Sequence, residues 1–213
     1  PQRKYYLDEN KMENIPSLLY YGGSDDTLLK KLNVSFDNPK VVDVCLEHIA
    51  AFTDPDSIVL DFFAGSCTVA HAVMKQNALD GGHRRFIMVQ WPEQCDAKRK
   101  KLGFNTICDL GRERIKQAGK QLKTSYQSLD VGFRTYKVDS GNMLSVYCVP
   151  EEQIQKDLFA STNNIKSDRT NQDLLIQTML SLGITLDANI QKFEVCGKDI
   201  FNVQNKYLIT CFD

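Results

Sequence analysis

The sequence predicts an α/β fold, in which helices cover a parallel sheet, followed by a small α+β region. Over residues 36–139, short apolar runs alternate with runs of helical periodicity, and this order requires crossover connections between parallel strands. Over residues 140–213, one helical run precedes hairpin-like strands. Residues 1–35 are mixed in composition, and we expect them to be a connector or the end of a preceding domain.

The α/β region is expected to begin with a helix, a turn, a strand and a second helix. Asn38 and Pro39 suit the N-cap and the first turn of the first helix. Its buried face follows from apolar residues at i, i+3, i+4 and i+7, namely Val42, Cys45, Leu46 and Ile49. A turn over residues 53–56 leads to an apolar strand over 58–60, and residues 69–76 are helix-like.

The alternation continues with a second strand, a third helix and a third strand. Asp80-Gly-Gly82 is a helix stop signal. Residues 84–91 form a strand with a continuous apolar centre, which is typical of a parallel sheet covered on both faces. Helical spacing of apolar residues predicts a helix over 107–123, and aromatic–polar alternation predicts a strand over 132–138.

The C-terminal accessory region, residues 140–213, is expected to hold a helix and a small antiparallel sheet. Thr170-x-x-Asp173 is a variant of the capping box before a helix over residues 174–182. A hairpin is predicted around Gly197 and Lys198, with a last strand over 208–212.

Composition excludes several classes of protein. Of the 213 residues, 42% are hydrophobic and 25% are charged, as in globular proteins, and no apolar run reaches the roughly 18 residues of a membrane span. The seven cysteines form no Cys-x-x-Cys pair and do not cluster with histidines, so we expect no zinc site and a reducing cytoplasm. A net charge of −1 argues against steering of the whole chain toward nucleic acid.

The stretch that most strongly suggests a ligand-binding site is Asp-Phe-Phe-Ala-Gly-Ser-Cys-Thr, at residues 61–68. A strand, a small-residue turn and a helix N-terminus form a nucleotide-shaped pocket, because the helix amides attract an anion and Gly65 lets the backbone approach a ligand. Asp61 at the strand end suits an ammonium group, and Thr68 suits a helix cap as well as a ligand contact. Taken alone, such a turn also fits any α/β protein, and the Gly-x-Gly-x-x-Gly spacing of nicotinamide sites is absent.

Three further features allow two interpretations each. Gln90 ends the second strand, the position at which nucleotide-binding sites carry a polar side chain that hydrogen-bonds the ribose hydroxyls. Glu93 could take that role instead, or Gln90 is simply a polar strand end. Residues 98–123 carry nine Lys or Arg against two acids, which favours a solvated helix face over a phosphate-binding surface. Cys67 lies at a helix N-terminus without an adjacent base, so we expect a glycine replacement and not a catalytic thiol.

Several stretches in a fixed order together resemble one family, the modification (methyltransferase) subunits of type III restriction–modification systems. They are Phe36-Asp-Asn-Pro-Lys40, Asp61-Phe-Phe-Ala-Gly-Ser66, Asp80 to Gln90 with Pro92-Glu93, Gly111-Arg-Glu-Arg-Ile115 and Ile165-Lys-Ser-Asp-Arg-Thr170. The turn resembles the Asp-x-Phe-x-Gly-x-Gly loop of DNA amino-methyltransferases, a group that modifies adenine N6 or cytosine N4.

The resemblance implies a partial Rossmann-like fold of S-adenosylmethionine-dependent methyltransferases, with S-adenosylmethionine as the cofactor. The residues that it assigns to cofactor binding are Asn38, Lys40, Asp61, Phe63, Gly65, Ser66, Thr68 and Gln90. The chain departs from the family at Cys67, where glycine is usual, at Val41, where proline commonly follows the lysine, and at the neutral Gln90.

The resemblance also implies a function, a site-specific DNA adenine-N6 methyltransferase that acts on a flipped base. Double-stranded DNA, a restriction subunit and a second copy of the chain are the implied partners. No Asp-Pro-Pro-Tyr motif occurs in the sequence, so we expect a cofactor-binding fragment that is inactive alone. The first strand would then be an exposed edge that promotes association. The alternatives are a non-catalytic module that contacts the restriction subunit or DNA, and an unrelated α/β nucleotide enzyme.

Overall fold

The computed structural model describes residues 21–32, 34–144 and 164–212, and the chain divides into two units, Pro1–Gly132 and Phe133–Asp213. The predicted domain boundaries after residues 35 and 139 stay predictions. Within the described residues, no helix has both the length and the apolar character that crossing a membrane demands.

The first unit alternates helices and strands. Its elements in chain order are α1 Asp26–Lys31, α2 Val42–Phe52, β1 Ile58–Asp61, α3 Thr68–Asp80, β2 Arg85–Met88, α4 Ala97–Lys101 and α5 Ile107–Ser125. Strands β1 and β2 pair in parallel, with Ile58 opposite Arg85 and Asp61 opposite Met88. This pairing confirms the predicted order of strand, crossover helix and parallel strand.

One face of the two-stranded sheet is covered and the other is open. Helices α2 and α3 supply a core of Val42, Ile49, Ala72 and Val73, against which Val59 of β1 and Phe86 of β2 pack. The alternate residues point away from this core, and Leu60 and Ile87 are 47% and 50% exposed. The prediction of a sheet covered on both faces is therefore wrong for the part of the chain that the structure describes.

Helix α2 begins later than predicted and has a different cap. Its N-cap residue is Val41, and no side chain of that residue bonds the helix. Asn38 has φ = 50° and is exposed, so it does not cap the helix as expected. The carboxylate of Asp25 instead accepts a hydrogen bond from the Val42 N–H at 2.7 Å. An acid from a distant segment thus does what the local asparagine was predicted to do.

The second unit matches the sequence in its helix and in its three strands. Helix α6, Asn171–Ser181, begins with the predicted capping box, in which Thr170 and Asp173 bond each other's backbone. Strands β3 Ile190–Val195, β4 Lys198–Val203 and β5 Leu208–Cys211 form an antiparallel sheet in that order. The predicted hairpin and last strand are confirmed.

The strand predicted over residues 132–138 is wrong, because these residues form no strand. The side chains of Arg134 and Tyr136 donate to the carbonyl of Leu186 at 2.6 and 2.8 Å. Val138 is fully exposed. The alternation of aromatic and polar residues reflects these side-chain contacts, since a strand also needs a partner for its backbone groups.

Candidate functional site

The turn after β1 is tied to the end of β2 by backbone hydrogen bonds. The Val89 N–H donates to the Asp61 carbonyl at 2.8 Å, and the Ala64 N–H donates to the Val89 carbonyl at 3.1 Å. The carboxylate of Asp61 accepts from the Phe63 N–H at 3.0 Å, which holds this acid at the mouth of the turn. Phe63 itself is 90% exposed, so its ring is open to a ligand.

The turn reaches α3 through two residues with left-handed backbone. Gly65 has φ = 50° and Cys67, the N-cap residue of α3, has φ = 57°. Gly65 adopts this conformation without cost, whereas a residue with a Cβ is strained by about 1–2 kcal/mol. A Cβ placed on Gly65 would lie 3.5 Å from the Phe36 ring, so the Phe36–Lys40 stretch begins beside the turn.

The N-terminus of α3 offers backbone donors to an anion. Its first internal hydrogen bond runs from the His71 N–H to the Cys67 carbonyl at 3.3 Å. The amides of the three preceding helical residues therefore have no carbonyl one turn earlier within the helix. Their donors and the helix dipole together favour a negatively charged group at this end.

Gln90 supports the turn with its side chain. Its Oε1 accepts from the Gly65 N–H at 2.7 Å, and its Nε2 donates to the Trp91 carbonyl at 3.1 Å. Both ends of the amide are thus engaged within the chain, and the ribose contact stays a prediction. Glu93 is exposed three residues further along, and its role as the alternative ribose contact likewise stays a prediction.

Removing the amide of Gln90 should destabilise the first unit modestly. In Gln90→Leu, the Gly65 N–H loses its acceptor, and we expect the free energy of unfolding to fall by about 1 kcal/mol. Gln90→Glu keeps an oxygen acceptor for the Gly65 N–H and loses only the donor to the Trp91 carbonyl, so it should lose less stability than Gln90→Leu. Urea unfolding followed by circular dichroism measures both, and equal losses in the two variants would contradict the role of the Gly65 hydrogen bond.

Ser66 and Thr68 are buried, and both hydroxyl oxygens accept from Arg114 of α5. The Arg114 Nη1 donates to Ser66 Oγ at 2.7 Å and to Thr68 Oγ1 at 2.9 Å. The two hydroxyls lie 3.3 Å apart. These two residues therefore connect the turn to α5 through Arg114. The sequence prediction that they contact a ligand is not tested by this arrangement.

Cys67 is a buried thiol without the features of a nucleophile. Burial, opposed in part by Arg114, raises the pKa of its thiol to about 11. Burial, together with the positive charges of Arg114 and Lys75, lowers the pKa of His71 to about 4. At neutral pH the pair is a neutral thiol and a neutral imidazole, and the expectation that Cys67 is not a catalytic thiol stays a prediction.

Gly111 and Arg114 are residues of the site to which the sequence assigned no role. A Cβ at Gly111 would come within 2.6 Å of Cys67 Sγ and 3.4 Å of the Gly65 carbonyl oxygen. Helix α5 thus passes close behind the turn at a residue without a side chain. The likeness of the 111–115 stretch to a family motif pointed to this region without indicating what its residues contact.

Asn38 and Lys40 are exposed, in a segment that α4 holds in place. Arg99 donates to the Ser35 carbonyl at 3.1 Å and to the Asp37 carboxylate at 2.7 Å. The structure thus brings the start of this segment to the turn, while the assigned contacts of its two polar side chains stay predictions.

The basic stretch over residues 98–123 separates into two classes. Its arginines are engaged: Arg99 pairs with Asp37 and Asp96, Arg112 with Asp109, and Arg114 is buried. Its lysines lie on the exposed surface, at 98, 100, 101, 116, 120 and 123. The lysines are therefore the cations of this stretch that are most open to phosphates or solvent, while Arg112 is partly exposed beside its partner Asp109. Among the described residues, no group of three or more His, Cys, Asp or Glu side chains could hold a metal ion.

Comparison with known proteins gives a consistent result. A family model described as DNA methylase matches residues 9–125. The chain is 36% identical over 127 residues to the Mod subunit of the type III restriction-modification enzyme StyLTI of Salmonella typhimurium, covering 58% of this chain and 18% of that protein. It is 33% identical over 142 residues to the Mod subunit of the type III enzyme EcoP15I of Escherichia coli, covering 63% and 21%.

A third relative has a different description. The chain is 39% identical over 82 residues to the type II methyltransferase M.KpnI of Klebsiella pneumoniae, covering 38% of this chain and 20% of that protein. The chain thus spans about a fifth of the length of these curated relatives. The likeness to type III modification subunits is the one that the sequence motifs predicted.

Proposed function

The chain belongs to the DNA methylase family, and from this premise we propose that its first unit is the S-adenosylmethionine-binding part of a DNA adenine-N6 methyltransferase of the type III modification kind. The observation that carries the proposal is the turn between β1 and α3. It places an acid, a left-handed glycine and the free amides of a helix N-terminus within one short stretch.

The donor set of this turn fits the methionine end of the cofactor. The Asp61 carboxylate would bind the ammonium group, and the first amides of α3 would bind the carboxylate. Phe63 would offer an exposed ring, and Gln90 or Glu93 would lie on the ribose side. When bound, S-adenosylmethionine supplies an electrophilic methyl group. The residues of this chain bind and orient it, and none of them is proposed to handle the accepting amine.

The whole protein's partners follow from the same proposal. A protein as long as these relatives would act on double-stranded DNA, and the exposed lysines over residues 98–123 could contact its phosphates. Such a protein would also bind a restriction subunit and a second copy of itself. The chain contains no Asp-Pro-Pro-Tyr motif, so we expect no methyl transfer by this chain alone. The cytoplasm stays the predicted location.

Calorimetric titration of S-adenosylmethionine into the chain tests the proposal. We expect saturable binding that Asp61→Asn weakens about tenfold or more, because this isosteric change removes the charge but keeps an acceptor for the Phe63 N–H. Asp56→Asn, at an exposed acid in the turn before β1, is the matched control and should bind like the parent. Absence of binding, or equal weakening in the two variants, would refute the assignment.

The open face of the sheet supports a second candidate, a non-catalytic interaction module. Ile58, Leu60 and Ile87 expose about half of their surface on one face, which is unusual for a parallel sheet. An interaction module need not bind the cofactor. Association in light scattering without any cofactor binding would favour this candidate, and saturable binding at the turn would favour the first.

A further inference from the structure

Arg114 is a fully buried arginine whose charge is only partly satisfied. It lies on the inner face of α5, between Leu110 and Ala118, with 0% of its surface exposed. Its Nη1 bonds Ser66 and Thr68, while its Nε and Nη2 have no hydrogen-bond partner among the described residues. Burying a guanidinium with unpaired donors is unfavourable, so packing alone does not explain this residue.

The compensating charge comes from Asp25, far away in sequence. The Arg114 Nη2 lies 3.7 Å from Asp25 Oδ2, and the side chain of Asp25 is 15% exposed. The same oxygen accepts from the Val42 N–H at the start of α2. Burial lowers the pKa of Arg114, and the charge of Asp25 opposes this most strongly. One carboxylate therefore connects the start of α2 with the arginine behind the turn.

We propose that Asp25 and Arg114 form a buried charge pair that positions the Ser66–Thr68 turn for its ligand, which makes Asp25 a positioning residue of the site. This inference rests on the proposed function. The carboxylate holds the guanidinium in an orientation from which Nη1 reaches both hydroxyl oxygens of the turn. The segment before residue 36 therefore contributes to the cofactor site, in addition to any role as a connector.

The physical argument depends on what the arginine would do without its partner. A buried guanidinium that loses its only carboxylate among the described residues turns toward water or toward another anion. Its Nη1 then no longer donates hydrogen bonds to Ser66 and Thr68, and the turn loses its connection to α5. The amides at the start of α3 would no longer be preorganised for an anionic ligand group.

Asp25→Asn tests the pair, because its amide oxygen can still accept from the Val42 N–H while its charge is gone. Asp26→Asn, at the exposed neighbouring acid in α1, is the control. Two measurements are made on each chain: hydrogen exchange of the amides of residues 64–68 without ligand, and calorimetric titration of S-adenosylmethionine. In Asp25→Asn alone, we expect faster exchange confined to the turn and about tenfold weaker binding. A loss of this size is typical when the residues that hydrogen-bond and orient metal ligands are mutated.

Arg114→Met provides a further comparison, since it removes the charge at similar volume. Because Asp25 acts through Arg114, Asp25→Asn combined with Arg114→Met should bind no worse than Arg114→Met alone. Additive losses would contradict the pair.

The exchange data separate this inference from the proposed function. If the parent chain bound no S-adenosylmethionine, the proposed function would fail, while faster exchange confined to the turn in Asp25→Asn would still support the pair. Exchange at the parent rate would overturn the pair. Exchange raised equally through α2, α3 and α5 would overturn it too, since that is the sign of a general loss of stability.

Discussion

Between pH 7 and pH 4, the first unit is expected to lose about 3 kcal/mol of stability through His71 alone. Burial, followed by the charges of Arg114 and Lys75, lowers the pKa of this imidazole from 6.5 to about 4. The unfolded chain therefore binds a proton over a pH range in which the folded chain does not. The contribution of His71 is complete above about pH 6.5 and is lost as the pH falls toward 4.

His71→Leu isolates this effect from the carboxylates that also titrate in acid. The variant removes the titrating ring, and the difference in free energy of unfolding between pH 7 and pH 4 should shrink by about 3 kcal/mol relative to the parent. His83→Gln, at an exposed histidine, should leave that difference unchanged. Urea unfolding followed by circular dichroism reports mainly on the first unit, which holds α1 to α5. An identical pH dependence of the parent and His71→Leu would show that His71 does not titrate as expected.

Gly111→Ala is expected to destabilise the first unit by about 2 kcal/mol, although alanine favours helix formation. The new Cβ would lie 2.6 Å from Cys67 Sγ, which is closer than side chains pack, and 3.4 Å from the Gly65 carbonyl oxygen, which is an ordinary contact. Cys67 cannot easily retreat, because it is buried and already strained at φ = 57°. Lys116→Ala, at an exposed position of α5, controls for the general effect of alanine in this helix.

Cys67→Gly should reverse this loss. Glycine removes the sulfur that Gly111→Ala meets and adopts a positive φ freely, so the double variant should be about as stable as the parent. The coupling between the two changes should be about 2 kcal/mol, as expected for residues in direct contact. Additive effects would mean that the alanine is accommodated elsewhere. The same urea experiment provides the four free energies of this cycle.

The sequence predicts the parts of the fold that local signals determine. The β1–α3–β2 unit follows from hydrophobic runs and from the stop signal at Gly81, and α6 follows from the capping box at Thr170. The N-cap of α2 could not be predicted locally, because Asp25 lies 17 residues before the amide that it bonds. The strand expected over 132–138 failed since alternation alone does not reveal whether a pairing strand exists.

The candidate site was predictable in the turn itself and less so in the residues that support it. The Asp61–Thr68 stretch was identified from its composition, and Gln90 from its place at the end of a strand. The hydrogen bond from the Gly65 N–H to Gln90 depends on how β2 lies beside the turn. Arg114 did carry a signal, since it falls four residues after Leu110 and four before Ala118 on the apolar face of α5. A charged residue at such a position indicates a buried partner.

The central claim is that S-adenosylmethionine binds at the turn between β1 and α3. Backbone amide chemical shifts of the isotope-labelled chain, followed during titration with S-adenosylmethionine, test it most directly. The account predicts saturable shifts concentrated at residues 61–70 and 90–93, with little change over 171–211. Saturable shifts elsewhere, with the turn unaffected, would contradict it.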